Sequence, residues 1–294
     1  MYFGIFFGVI SALLMSGSYV FSRSYLRKHH DPVKLAVFAQ LTILPWGIAL
    51  LIYSFLFLEI PRDNRFFLYL SGECTFFLVA QTSFFMVLKK LEATRASSLL
   101  GLKIMALALI TLLLGNELNM MRWIAIFLCT LAAVGMNFSG GRIGFSTVFW
   151  LAMAVFFYAV CDICITGMVR MMPGKNMLMN SVCVMGFTYT GIGLLVLPGL
   201  LKYKPAVSEF KDTFWYSVFY FGSILFLMAC FGLLGVVFGS IIQAGRGIFS
   251  ILLGLALLRS GIEKNEPQVS RRIWVRRSCM AVLMITAMVL YTLS

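Results

Sequence analysis

Charged residues are scarce in this 294-residue chain, because Asp, Glu, Lys and Arg together make up only 12% of it. That is about half of the share found in soluble domains. Hydrophobic residues reach 61%, and the mean hydropathy is +0.95. A water-soluble domain of this size could not bury so much apolar surface. The composition therefore excludes the soluble classes and indicates that the lipid bilayer is the solvent of this chain.

Acidic residues and functional motifs are also few. The chain has 11 Asp and Glu against 24 Lys and Arg, a formal net charge of +13. The basic residues lie mostly between apolar runs and no nucleic-acid motif accompanies them, which excludes nucleic-acid binding. The sequence contains no Walker A motif, so it gives no support for direct coupling to ATP hydrolysis. The seven cysteines lie in apolar runs, so Cys161 and Cys164 are predicted to be packing residues. The sequence predicts no metal site and no cofactor.

Apolar runs of about 20 residues, the length that spans a bilayer as a helix, recur along the whole chain. They predict an all-α, multi-pass membrane protein with ten transmembrane helices and only short loops, placed in the inner cell membrane. The ten predicted spans are residues 2–22, 34–57, 66–88, 93–115, 120–138, 145–168, 176–199, 213–231, 233–258 and 273–293.

The basic residues are distributed unequally between the two faces of this predicted bundle. The loops on one face hold 17 Lys and Arg, whereas the loops on the face that carries both termini hold five. Because loops rich in Lys and Arg stay in the cytoplasm, this count alone predicts that both termini lie outside the cytoplasm.

The two halves of the chain are similar to each other at an offset of 143 residues. Residues 96–103, with the sequence ASSLLGLK, then overlay residues 239–246, with the sequence GSIIQAGR, so that Lys103 coincides with Arg246. Each half carries five predicted spans. Because five is odd, the second half begins on the opposite side of the membrane and is inverted relative to the first. We therefore predict two inverted five-helix repeats, residues 1–143 and 144–294, a common transporter design.

The stretch from Ala96 to Phe138, with the segment Leu112-Leu113-Leu114-Gly115-Asn116-Glu117-Leu118, Trp123 and Gly135, resembles an EamA-type repeat of the drug/metabolite transporter superfamily. The resemblance implies a ten-helix transporter whose central cavity is lined mainly by spans 1, 3, 4, 6, 8 and 9. It also implies cytoplasmic termini, in conflict with the charge count. Phosphorylated-metabolite carriers of the superfamily use basic residues in that cavity.

Four charged residues lie deep inside the predicted spans, away from the span ends: Glu73, Lys103, Asp162 and Arg246. Each costs about 2.5–3.5 kcal/mol to insert and is therefore a candidate functional residue. In one arrangement Lys103 and Arg246 bind a carboxylate or phosphate in a cavity. Glu73 or Asp162 then contacts a substrate amine or carries a coupling proton. In the alternative arrangement the four residues form structural ion pairs, such as Glu73 with Lys103.

Neutral residues give weaker candidates for substrate contact. Gln243 shares a helix face with Arg246, Tyr158 shares one with Asp162, and Gln81 lies on nearly the same face as Glu73. Trp46 follows Pro45, where a helix kink is expected. Ordinary helix packing explains each of these positions as well.

The leading interpretation is a secondary transporter that moves a small organic metabolite with an anionic group by alternating access. Its partners would be that solute, the bilayer and, as coupling ion, a proton or a sodium ion. A flippase for a lipid-linked anionic headgroup is the second interpretation. A membrane-embedded enzyme is the third and weakest, because the only histidines, His29 and His30, lie in a predicted loop and no nucleophile motif is present.

Overall fold

The computed structural model describes residues 1–91, 93–115, 119–137, 143–203, 207–246, 249 and 271–293. Within these ranges the regular structure is entirely helical and contains no strand. The helices are α1 (Tyr2–His29), α2 (Pro32–Phe57), α3 (Asn64–Lys90), α4 (Ala93–Leu99), α5 (Lys103–Leu113), α6 (Met120–Asn137), α7 (Phe145–Met171), α8 (Met177–Val196), α9 (Gly199–Lys202), α10 (Val207–Leu234), α11 (Val236–Ala244) and α12 (Arg271–Thr292).

Six of the described helical segments are long and apolar enough to cross a membrane: α1, α2, α3, α7, α8 continued through α9, and α10. Shorter apolar helices occupy Leu100–Leu113, Met120–Gly135 and Val282–Tyr291. These findings support a polytopic helical membrane protein. The predicted number of ten spans stays a prediction, since most of residues 247–270 lie outside the described ranges.

The helices α2, α3, α6 and α8 begin where a polar side chain accepts hydrogen bonds from their first backbone amides. The Asp31 carboxylate accepts hydrogen bonds from the amides of Val33 and Lys34, and Pro32 occupies the first turn, where its missing amide costs nothing. The Asp63 side chain caps α3 in the same way by accepting from the Arg65 amide. These short polar connections place the helices antiparallel to their chain neighbours.

The most extensive helix contacts join α1 to α10, α3 to α7, α2 to α8 and α6 to α12. Glycines allow the closest of these approaches. A Cβ atom on Gly186 of α8 would lie 2.7 Å from the Leu51 backbone nitrogen of α2. Small residues at such contacts let helix backbones pack closely in a membrane, where van der Waals contact drives association.

Two predicted spans are interrupted. The fourth span, predicted as one helix over 93–115, is broken by a 3₁₀ turn at Leu100–Leu102, directly before Lys103. The ninth, predicted over 233–258, begins after Gly235 as α11, which ends at Ala244, and most of residues 247–258 lie outside the described ranges. Gly235 has a φ of 83°, a backbone conformation that glycine adopts without steric cost, and this lets the chain turn directly from α10 into α11.

Candidate functional site

A small cavity lined by charged, polar and apolar side chains lies inside the bundle, with a volume of about 30 Å³. We call it the central cavity. Its walls come from α1, α3, α7, α8, α10, α11 and the residues around the break between α4 and α5. The lining residues are Met15, Tyr19, Glu73, Phe77, Leu100, Lys103, Tyr158, Cys161, Asp162, Ile165, Tyr189, Tyr220, Ile224, Leu227, Gln243 and Arg246. All four ionisable residues that the sequence singled out therefore line one cavity, and each is at most 6% exposed.

Lys103 and Asp162 form an ion pair inside the central cavity. The Lys103 ammonium lies 2.5 Å from Asp162 Oδ2, and it also donates a hydrogen bond of 3.3 Å to Gln243 Oε1. The Ser240 hydroxyl donates to Asp162 Oδ2 at 3.4 Å. The pair is thus held by polar groups of α11. Sequence reasoning missed Ser240, although its spacing of three residues from Gln243 places both on one helix face.

Arg246 lies where the described part of the ninth span ends, just beyond α11. Its guanidinium carbon is 5.6 Å from the centre of the Tyr19 ring, within the range of a cation–π contact. Its backbone carbonyl accepts a hydrogen bond of 2.9 Å from the Ser16 hydroxyl of α1. Arg246 is therefore fixed against α1, with its charge in the wall of the central cavity.

Glu73 lies in α3 and is almost fully buried. Its Oε2 atom has no hydrogen-bond partner in the described part of the chain. The ion pair considered from the sequence, Glu73 with Lys103, is not the arrangement that the structure adopts, because Lys103 pairs with Asp162 instead. A buried carboxyl oxygen without a partner is costly, and this marks Glu73 as a group that a ligand or a proton would satisfy.

Gln81 lies outside the cavity wall but supports it. The Tyr158 hydroxyl, in the wall, donates a hydrogen bond of 2.6 Å to Gln81 Oε1. The Gln81 amide in turn donates to the Tyr216 hydroxyl of α10. Gln81 thus links α7 to α10 and orients Tyr158, so its geometry is that of a positioning residue.

Trp46 is the one candidate that neither lines the central cavity nor forms a hydrogen bond with a described residue of its wall. Its ring packs against Phe214 and Phe221 between α2 and α10, with ring centres 6.0 and 5.5 Å away.

In the described part of the chain, no group of three or more His, Cys, Asp and Glu residues could hold a metal ion. Cys161 and Cys164 are both buried as free thiols.

Ion pairs join the two halves of the chain at the face where α1 ends and α2 begins, which we call the loop face. Lys34 lies 2.5 Å from Glu209 Oε1. His29, the last residue of α1, lies 2.7 Å from Asp212, as does Lys28. These contacts tie α1 and α2 to the start of α10. We call the opposite face, where α1 begins and α12 ends, the terminal face.

The described residues thus form a helical membrane protein in which charged side chains from both halves surround one buried cavity. Residues 2–138, slightly under half of the chain, match the model of the EamA-like transporter family, a family of the drug/metabolite transporter superfamily. The match confirms the resemblance found in the sequence. Because the matched family consists of transporters, the match suggests membrane transport of a small molecule.

Comparison of structures adds evidence on the fold. The fold matches 28 solved chains. One is a crystal structure described only as that of a protein, with a TM-score of 0.67 over 99% of this chain and 96% of its own, at 16% identity. The chain therefore shares the fold of that structure over nearly its whole length. No curated protein matches the sequence.

Proposed function

We propose that the chain is a secondary transporter of the inner cell membrane. It moves a small organic metabolite with an anionic group, a carboxylate or a phosphate, and Lys103 and Arg246 bind that group. The observation that carries the proposal is that these two buried cations, one from each half of the chain, line the same cavity. Arg offers a planar fork of donors and Lys a point charge, a combination suited to an anionic oxygen cluster.

The acidic residues limit what the central cavity can accept. Lys103 already has Asp162 as its counter-ion at 2.5 Å, so an arriving anion must displace that carboxylate before it reaches the ammonium. The displaced Asp162, together with Glu73, then remains to bind a substrate amine or a coupling proton. A solute that carries both an anionic and an amino group would satisfy all four charges.

Two inverted repeats, residues 1–143 and 144–294, are part of this proposal. Exchanging the halves would convert the α1–α10 pair into the α7–α3 pair, and both pairs are among the most extensive contacts. It would map α2 onto α8 and α6 onto α12, which are also paired. The helix interruptions before Lys103 and before Arg246 correspond as well. Interrupted helices at the repeat interface are typical of transporter sites.

Alternating access explains why the central cavity is so small. A volume of about 30 Å³ has room for only a few water molecules, far below the need of a metabolite. The cavity must therefore expand to load a solute. The ion pairs of Lys28 with Asp212 and of Lys34 with Glu209 at the loop face hold the halves together in this conformation.

Ligand-dependent thermal unfolding of the full chain in detergent tests the proposed site. The panel contains dicarboxylates, sugar phosphates, amino acids and quaternary amines of similar size. We expect an anionic compound to stabilise the wild type, by about 2.7 kcal/mol at one hundred times its Kd. Arg246→Gln should abolish that stabilisation, whereas Arg65→Gln, which removes an exposed cation from α3, should retain it.

Counterflow of the same compound into proteoliposomes then tests movement across the membrane. Uptake by the wild type without chemical change of the compound supports transport and contradicts an enzyme. Equal stabilisation of the wild type and Arg246→Gln, or stabilisation by quaternary amines alone, would overturn the anion site.

A further inference from the structure

A second and larger cavity opens at the terminal face, with a volume of about 400 Å³. It lies between the ends of α5, α7 and α10, the start of α6 and the start of α11. On α7, Arg170 in its wall is eight residues beyond Asp162, about 12 Å along the helix at 1.5 Å per residue. This terminal-face cavity therefore reaches along α7 from the depth of Asp162 toward the terminal face, and it is large enough for a metabolite.

Among the described residues, the charges that line the terminal-face cavity are of one sign. Arg122 of α6 and Arg170 of α7 both line it, and no acidic residue does so among the described residues. The guanidinium carbon of Arg122 lies 5.6 Å from the centre of the Tyr291 ring. Neither arginine forms an ion pair within the described part of the chain, and the Arg122 Nε atom is buried without a hydrogen-bond partner there.

The start of α11 adds positive potential to the same space. Val236, Val237 and Phe238 form the first turn of α11 and line the cavity, and Gly235 provides no side-chain cap for their amides. A Cβ atom on Gly235 would lie 3.3 Å from Nη2 of Arg170, so this guanidinium sits against the helix start. Like charges that converge in this way repel one another unless an anion lies between them.

Membrane topology does not account for these arginines. Loops on the terminal face hold only five of the 24 Lys and Arg, and two of those five line one cavity. A residue that only anchors a loop can lie anywhere on the polar surface.

We propose that the terminal-face cavity is a second anion-binding site, at which Arg122 and Arg170 hold the carboxylate or phosphate group of a ligand on its way to or from the central cavity. The inference deepens the proposed transport function and rests on it.

A thiol placed in the cavity wall measures this electrostatic preference without knowledge of the substrate. Thr111→Cys is made in the full chain with Cys279→Ser, because Cys279 is the one exposed native cysteine among the seven. Labelling rates are measured in phosphatidylcholine nanodiscs with a sulfonate-bearing and a trimethylammonium-bearing methanethiosulfonate. Each rate is divided by the rate of the same reagent with a free thiol in solution.

We expect the sulfonate reagent to be favoured, and the ratio of the two rates to fall about tenfold or more in the double variant Arg122→Gln/Arg170→Gln. Arg65→Gln, which removes a cation of the same face outside the cavity, should leave the ratio unchanged. A ratio that matches the free thiol, or one that the double variant does not lower, would overturn the inference.

Competition with inorganic phosphate tests binding and separates two sources of the anion. Phosphate that slows the neutral reagent N-ethylmaleimide at Thr111→Cys in phosphatidylcholine nanodiscs indicates a soluble ligand. Slowing in phosphatidylglycerol nanodiscs without added phosphate indicates a lipid headgroup. No protection in either case would overturn the site. Arg246→Gln should retain both the rate ratio and the protection, so a failure of the central site is distinguishable from a failure of this one.

Discussion

Asp162 Oδ2 lies 2.5 Å from Lys103 Nζ, and this ion pair crosses the boundary between the two halves of the chain. Both side chains are almost fully buried. Removal of one partner from such a pair leaves a charge that neither solvent nor protein compensates. The pair therefore affects both the stability of the fold and the response of the site to an anion.

Asp162→Asn should lower the free energy of unfolding by about 3–5 kcal/mol, because it leaves the Lys103 charge buried without its counter-ion. The double variant Lys103→Met/Asp162→Leu should recover most of that loss, since no unpaired charge remains. Chemical unfolding in detergent measures both. Lys28→Met, which breaks an exposed pair with Asp212, is the control and should cost no more than about 1 kcal/mol. Equal costs for Asp162→Asn and Lys28→Met would contradict the prediction.

The charged residues of the central cavity were predictable from the sequence, because burying a charge in lipid is costly and a span contains one only for a reason. Charges inside apolar runs are conspicuous, and Glu73, Lys103, Asp162 and Arg246 all line the cavity. The choice of ion-pair partner was not predictable, because depth along a helix does not fix the rotation of that helix toward its neighbours. Lys103 could have faced either acid at similar depth.

Aromatic and backbone features of the site were also hidden. Tyr19, Tyr189 and Tyr220 line the cavity, yet in a chain with 28 Phe and 11 Tyr an aromatic residue in a span does not stand out. The helix interruption at Leu100–Leu102 has no proline or other breaker residue beyond Gly101 to predict it. The turn packs closely against α6, where a Cβ atom on Gly101 would lie 2.7 Å from the Ala133 Cβ atom.

At the loop face, Glu209→Gln should weaken the contacts with Lys34 and His29 and favour opening of this face. Cys161, in the wall of the central cavity, is a native probe of that opening. We expect a membrane-impermeant maleimide, added at the loop face of sealed vesicles, to label Cys161 about fivefold faster, the effect of 1 kcal/mol on a two-state equilibrium. Glu59→Gln, an exposed change at the terminal face, serves as the control. Unchanged labelling of Cys161 in Glu209→Gln would exclude these pairs as a seal.

Gln81→Leu should destabilise the fold by about 1–3 kcal/mol, because the buried hydroxyls of Tyr158 and Tyr216 both lose a partner. Gln40→Leu is the matched control, since neither amide atom of Gln40, which is also buried, has a partner among the described residues. That change should be neutral or stabilising. Unfolding midpoints of the two variants distinguish a hydrogen-bonding role from simple packing, and a loss of the same size in both would rule out the hydrogen-bonding role.

Close packing of α2 against α8 depends on the absence of a side chain at Gly186. A Cβ atom there would lie 2.7 Å from the nitrogen and 2.9 Å from the Cα of Leu51, and neither backbone atom can move without shifting α2. Gly186→Ala should therefore lower the free energy of unfolding by about 1–3 kcal/mol. Gly222→Ala in α10 is the control, because its Cβ atom would meet only Leu14 Cδ1 at 3.4 Å. There the higher helix propensity of Ala should stabilise the chain by up to about 1 kcal/mol. Thermal unfolding of both variants in the same detergent decides the matter, and a Gly186→Ala chain as stable as Gly222→Ala would show that α2 and α8 are not held this closely.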